Sequence, residues 1–354
     1  MSDLDRAAVA AVDPTGQAGE MLGLADHLRD ALWRVDSAGI APPPTPGGMV
    51  VAGMGGSAIG ARLALAAIGS RLRRPFAVAD DYALPGWVGP DTLVLCSSYS
   101  GATEETLSAY DDATERGAPR LVVTTGGPLG ERAWRDGVPV IPVPGGFQPR
   151  AAVGYSLVAA LETAALAGAA PSLRDEVEAA AALAAQLAPA WGPSGREDGE
   201  AKALARRLHD TVPVIVGAEL AAAAAYRWKG QINENAGQPA FWGPLPEIDH
   251  NEIVAWPALR GSGRFSAVVL EDPGAHPRNA LRAELTVAAA SRAGIAVVER
   301  VRARGEARTE RLVSLVLLGD LVSLYLAVLR GKDPVTVAPI DTLKSAMASG
   351  NVAV

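Results

Sequence analysis

The chain has 354 residues, 49% of them hydrophobic, and its 32 Lys and Arg against 39 Asp and Glu give a formal charge of −7. At roughly 100–200 residues per domain this length points to two domains with real cores, and the apolar fraction excludes a disordered chain. Acidic balance without a long Lys/Arg run excludes the wrapping of bare nucleic acid, whose phosphates demand a basic face.

A single cysteine, Cys96, permits no intrachain disulfide and no Cys-rich zinc cluster, which fits a reducing compartment. The opening Met1-Ser2-Asp3-Leu4-Asp5-Arg6 lacks the basic and apolar regions of a signal peptide, so the expected location is cytoplasmic. Leu312 to Leu329 is strongly apolar but broken by Gly319, Asp320 and Ser323, and it reads as a buried helix rather than a membrane span.

In chain order, Ala18 to Val35 carries a helical stripe of Met21, Leu22, Leu24, Leu28, Leu32 and Trp33, and the prolines from Pro42 to Pro46 end this leading segment. Short apolar strands at Met49–Gly53, Phe76–Ala79, Thr92–Cys96, Arg120–Thr124 and Pro139–Val143 follow, with helices predicted at Ser57–Ile68 and Glu104–Arg116. Such alternation is the pattern of a parallel sheet covered on both faces. Helices are then expected at Tyr155–Ala167 and Leu173–Leu187, and Pro189 to Gly195 reads as a linker. The alternation restarts with strands at Val212–Gly217, Phe265–Leu270 and Gly294–Val301 and helices at 218–233, Pro277–Ala293 and Thr309–Leu329. The expected organisation is a helical segment with a Pro-rich turn (1–47), a doubly wound α/β domain with trailing helices (48–190), and a second α/β domain (191–354).

Three stretches carry chemistry. Gly53-Met54-Gly55-Gly56-Ser57-Ala58-Ile59-Gly60 joins a strand to a helix, where glycines allow close backbone approach and helix N–H groups favour an anion. Its spacing overlaps the dinucleotide fingerprint, and Asp80-Asp81 after the next strand supplies an acid for a ribose, so a nicotinamide oxidoreductase is a rival reading. Second, Ser97-Ser98-Tyr99-Ser100-Gly101-Ala102-Thr103 follows a strand and opens a helix, with no lysine beside it. Hydroxyls on a helix N-terminus make a cradle for a phosphate monoester rather than a triphosphate; a bare N-cap needs only one hydroxyl. Third, Glu234 and His250 stand close in sequence to Phe241 and Trp242, a carboxylate and an imidazole suited to proton transfer, with desolvation by the aromatics as the expected tuning of Glu234. His27, His209 and His276 show no ligand spacing and read as surface residues, no metal site is supported, and Cys96 reads as a buried structural thiol.

Together with Pro149-Arg150-Ala151-Ala152, Asn233-Glu234-Asn235, Asp249-His250-Asn251-Glu252-Ile253 and Ile340-Asp341-Thr342-Leu343-Lys344, these motifs resemble the sugar isomerase (SIS) superfamily, and within it the bifunctional phosphoglucose/phosphomannose isomerases. The resemblance runs from about residue 48 to 347. It implies two SIS-type doubly wound parallel-sheet domains behind a leading helix, and aldose–ketose isomerisation of glucose 6-phosphate and/or mannose 6-phosphate with fructose 6-phosphate through a cis-enediol. It implies that Gly56, Ser57, Ser98, Ser100 and Thr103 bind phosphate, Glu234 moves the proton, Arg150 stabilises the enediolate, and His250 with Lys344 opens the ring. It further implies a homodimer with His250 supplied across the interface, a phosphorylated hexose as partner, and no cofactor, metal, nucleic acid or membrane. Ala102 stands where Asn is common, Ala61-Arg62 where Gly-Asp is usual, and Thr336 and Thr342 both qualify as the threonine near the C-terminal lysine. A sugar-phosphate sensor without catalysis is the alternative reading of the same cradle.

Overall fold

The computed structural model describes residues 3–260 and 264–349. Three helices lead the chain: α1 (Arg6–Val12), α2 (Gln17–Leu22) and α3 (Leu24–Ser37). The stripe expected to form one helix breaks at Gly23, where a Cβ would lie 3.1 Å from the His27 ring. His27, expected at the surface, is buried, whereas Trp33 from the apolar stripe is 62% exposed. The imidazole fills its place by ring contacts with Phe147 at 4.9 Å and Tyr155 at 5.4 Å between centroids, and burial lowers its pKa.

The first sheet arises from β1 (Gly48–Ala52), α4 (Gly55–Ile68), β2 (Phe76–Ala79), β3 (Thr92–Ser97), α5 (Glu104–Glu115), β4 (Arg120–Thr124), α6 (Gly127–Asp136) and β5 (Val140–Pro142). Its strands are all parallel in the order β2-β1-β3-β4-β5. Every residue of β1 and β3 is buried, which is why both strands read as continuous apolar runs. The winding reverses between β1 and β3, and the crevice beyond their carboxyl ends is where such sheets take ligands. Helix α6 was not anticipated because Gly126-Gly127-Pro128 reads as a turn; the proline stands in the first helical turn, where its missing N–H costs nothing.

Helices α7 (Val153–Leu166), α8 (Arg174–Trp191) and α9 (Glu200–Leu208) connect the two sheets. The expected linker starts later than Pro189, because α8 carries that proline inside it and runs on to Trp191, whose side chain is buried and whose carbonyl accepts from the Tyr325 hydroxyl at 2.7 Å.

The second sheet comes from β6 (Val212–Ala218), α10 (Leu220–Ala236), β7 (Phe241–Leu245), β8 (Phe265–Glu271), α11 (Pro277–Ala293) and β9 (Val297–Arg302), in the parallel order β7-β6-β8-β9. This repeats the order β2-β1-β3-β4 of the first half. β7 escaped notice because Gly243 and Pro244 disguise it; proline is admitted on an edge strand, and β7 is one. Helices α12 (Arg308–Leu329) and α13 (Ala338–Ser349) close the described chain.

Helix α12 is long and apolar enough to cross a membrane, yet 89% of its apolar window is buried inside the protein. It packs against α8, α9 and α10 as the central rod of the largest core. Gly319 has a reason to be there: a Cβ would stand 2.2 Å from the indole nitrogen of Trp228, whose N–H donates to the Leu315 carbonyl at 2.8 Å.

Candidate active site

Two of the glycines after β1 exist for close approach. A Cβ on Gly53 would meet the Ser97 carbonyl at 2.7 Å, and one on Gly56 would meet the Pro149 carbonyl at 2.7 Å. The turn therefore presses against both the end of β3 and the segment that carries Arg150. Gly55, at φ +50°, opens α4, and no side chain caps that helix start. Ser57 lies on its first turn beside Ser97 and Tyr99.

The serine loop after β3 is clamped from behind. Gly101 has φ +67° and its Cβ position lies 1.9 Å from the Gly126 carbonyl, so glycine is the residue that fits. The Tyr99 carbonyl accepts from Thr125 N at 3.1 Å, and the Gly101 carbonyl from Leu129 N at 2.8 Å. Thr103 occupies the N-cap position of α5 without making a cap hydrogen bond. Its hydroxyl lies 2.8 Å from that of Ser98, so a capping role does not account for it. Ser98 is buried and Ser100 is exposed, its Oγ accepting from Ala102 N at 3.3 Å. The starts of α4 and α5 both lack a side-chain cap, which leaves N–H groups at each suited to a negatively charged group.

Arg150 lies across from the glycine turn and is 5% exposed. Its Nε donates to Asn235 Oδ1 at 2.7 Å, Nη1 to Glu234 Oε2 at 3.4 Å, and Nη2 to the carbonyls of Pro334 and Val335. Burial lowers its pKa while Glu234 opposes that shift. Gly55, Gly56, Ile59, Arg150, Tyr226, Lys229, Gln231 and Glu234 line one cleft. The aromatic pair expected to desolvate Glu234 does not line it: Phe241 is 59% exposed, and Trp242 packs edge-on against Tyr226. The partner of the carboxylate is a guanidinium.

Lys344, on α13, faces the serine loop. It and Met347 lie with Ser100, Ala102, Thr103, Glu104 and Glu105 around a second crevice. Thr336 donates to Asp333 at 3.0 Å beside the segment bound by Arg150, whereas Thr342 bonds back to Ala338 within α13. His250 stands apart from both crevices. It is exposed on the short 3-10 turn Glu247–His250, and its side chain makes no hydrogen bond or ion pair to any of the described residues. Its neighbour Asp249 ties that turn to α11, accepting from Arg282 at 3.3 Å and Thr286 at 3.0 Å.

Sequence reading missed the support beneath Arg150. Asp320 and Arg227, both buried, form a two-point ion pair at 2.9 and 2.7 Å, and Gln231 donates to the same carboxylate at 3.0 Å. Arg227 also donates to the Arg150 carbonyl at 2.9 Å, and Ser323 joins Asn235 at 2.8 Å. The polar interruptions of α12 were the signal: Asp320 and Ser323 hold this network together. Asp80, the acid a nicotinamide ribose would need, is instead paired with Arg62 at 2.5 Å, and Arg62 stacks on Tyr226. Cys96 is fully buried, and burial pushes its thiol up to about 12. Among the described residues no group of three or more His, Cys, Asp or Glu is placed to hold a metal ion.

The corresponding turn of the second half is built differently. Glu219 lies between β6 and α10 at φ +50°, the same value as Gly55. Its Oε1 accepts from His276 N at 3.0 Å and Asn279 Nδ2 at 2.7 Å, at the start of α11.

Curated relatives match this architecture over most of its length. A bifunctional phosphoglucose/phosphomannose isomerase of Caldicellulosiruptor bescii is 41% identical over 303 residues, covering 85% of this chain and 89% of the relative. One from Aquifex aeolicus is 37% identical over 300 residues, covering 84% and 89%. The chain belongs to the bifunctional phosphoglucose/phosphomannose isomerase family. Residues 197–347 match the bacterial phospho-glucose isomerase C-terminal SIS domain. Among solved structures, a hypothetical protein of Thermus thermophilus shares the fold with a TM-score of 0.74 at 19% identity, covering 98% of this chain and 93% of that one. Membership of this isomerase family makes the chain an enzyme of two SIS-type sheets, and it removes the oxidoreductase reading.

Proposed function

We propose that this enzyme interconverts glucose 6-phosphate and/or mannose 6-phosphate with fructose 6-phosphate through a cis-enediol, in the cytoplasm. The first sheet with its trailing helices, through Trp191, forms the phosphate-binding domain, and the chain after it supplies the base. The observation that carries the reading is the Arg150–Glu234 pair in a cleft against the glycine turn, beside a hydroxyl loop at an open helix end. Phosphate is held by Gly56, Ser57, Ser98, Ser100 and Thr103. The Glu234 carboxylate takes the proton from C2 of the open-chain aldose; the C–H electrons form the C1–C2 double bond, and the carbonyl oxygen at C1 becomes negative. Arg150, fixed by four acceptors, offsets that charge without reorganising. Protonation of O1 gives the neutral enediol; loss of the O2 proton, with its electrons forming the C2 carbonyl, then drives return of the carbon-bound proton to C1 and gives the ketose, and both aldose epimers share the same enediol because C2 is planar in it.

Ring opening falls to Lys344 and to the His250 of a second copy. Exposure of His250 away from Glu234 supports a homodimer in which each site borrows this histidine. A coupled assay on the purified protein tests the reaction: failure to turn over either aldose phosphate, with the protein folded, overturns it, and phosphosugar binding without exchange of the C2 hydrogen selects a sensor. Mixing inactive Glu234→Gln and His250→Ala chains tests the dimer. Subunit exchange should restore about a quarter of the wild-type activity, since half of the dimers would carry one intact site of two.

A further inference from the structure

The C-terminal end of α10 bears Glu234, and the chain that leaves α12 passes directly beneath it. Lys332 in that strap donates to three carbonyls: Glu234 at 2.7 Å, Asn235 at 3.2 Å and Thr336 at 3.2 Å. The first two belong to the last turn of α10, whose carbonyls have no partner within the helix. Gly237, just past the helix at φ +57°, leaves room for the lysine stem, since a Cβ there would lie 3.0 Å from Lys332 Cδ. Arg330 donates to the Ala236 carbonyl at 2.9 Å and to that of Gly237 at 3.5 Å. From the other side Arg150 grips the same strap through Pro334 and Val335.

We propose that Lys332 is a positioning residue, clasping the helix end that carries Glu234 to the strap that leads to Lys344. This rests on the isomerase reading above. The phosphate cradle is built from the other half of the chain and makes no use of Lys332, so the clasp bears on proton transfer and ring opening, not on capture of the substrate. Helix α13 is exposed along Ile340, Leu343 and Met347, so the strap is what fixes the position of Lys344. A cation at that point also complements the negative end of α10.

The test compares Lys332→Met and Lys332→Arg in the full-length protein. Lys332→Met should lower kcat about tenfold while KM for fructose 6-phosphate changes by less than about twofold, and Lys332→Arg should recover at least half of the rate. Amide exchange over Ala338–Ser349 should quicken about tenfold in Lys332→Met. Unchanged kcat and exchange overturn the proposal, as do parallel losses in kcat, KM and thermal stability that Lys332→Arg leaves uncorrected. An inactive wild type would defeat the isomerase reading alone, because the exchange measurement judges the clasp without turnover.

Discussion

The hydroxyls of Ser98 and Thr103 lie 2.8 Å apart across the serine loop, joined to each other and not to the first turn of α5. One hydroxyl donates to the other, so a phosphate oxygen placed there would meet one free O–H at once and a second when the pair turns to it. Ser98→Ala and Thr103→Ala should each raise KM about tenfold, the effect of losing a hydrogen bond to a charged group. The double variant should cost less than the sum, because the two hydroxyls act together. Steady-state kinetics on all three proteins measures the coupling.

Glu234→Gln preserves the shape beside Arg150 and removes the proton acceptor. Binding of fructose 6-phosphate, followed by thermal shift, should persist. Isomerisation and exchange of substrate hydrogen with solvent should fall about 10²–10⁴-fold, the usual contribution of a general base. Retained exchange would take the role away from Glu234.

Removing Asp320 would strand a buried guanidinium. Asp320→Ala should destabilise the protein by about 3–5 kcal/mol in urea unfolding, whereas Arg227→Met combined with Asp320→Leu should recover most of that loss. The double variant would still lack the donor to the Arg150 carbonyl, so its kcat should stay low after its stability returns.

Burial holds His27 below its ordinary pKa, with Asp26 and Asp30 only partly opposing that shift. The unfolded chain therefore binds a proton at about pH 6.5 that the folded chain still refuses. Stability should be full above that pH, decline as pH falls from about 6.5, and stop declining below the lower folded value. Urea midpoints at several pH values should show this limb, and His27→Gln should flatten it. Glu20, 3.7 Å from the ring and itself raised by burial, remains in that variant, so the difference isolates the histidine.

Cys96 should be silent to thiol reagents at pH 8 in the folded protein and react stoichiometrically in denaturant. Its thiol sits fully buried with its pKa pushed up to about 12, so the thiolate fraction is negligible. Fast labelling of the native protein would contradict this burial.

Much of the fold was legible because its signals are local. The buried strands β1, β3, β6 and β8 announce themselves as apolar runs, and α11 was read to its first and last residue, Pro277–Ala293. What escaped depended on tertiary context. Pro189 and Pro244 sit in regular elements that local rules discourage, one near a helix end and one on an edge strand. His27 is polar by type, yet it is enclosed by rings contributed from residues over a hundred positions away. Likewise, the motifs named Glu234 and Arg150 separately, but only the packing of α10 against α12 brings Arg227 and Asp320 together beneath them. Aromatic neighbours of Glu234 in sequence proved to be the wrong neighbours in space, since Phe241 is exposed and Trp242 packs on Tyr226 without lining the cleft.

Glu219 gives the duplication its asymmetry. With a carboxylate of its own on the N–H of His276 and the amide of Asn279, the second half carries a built-in counterion at the corner that the first half leaves open beside Gly55. One corner thereby leaves its N–H groups for an anion from outside, and the other already carries its own. Each chain should therefore take up a single phosphosugar, a stoichiometry that equilibrium dialysis with labelled fructose 6-phosphate would count.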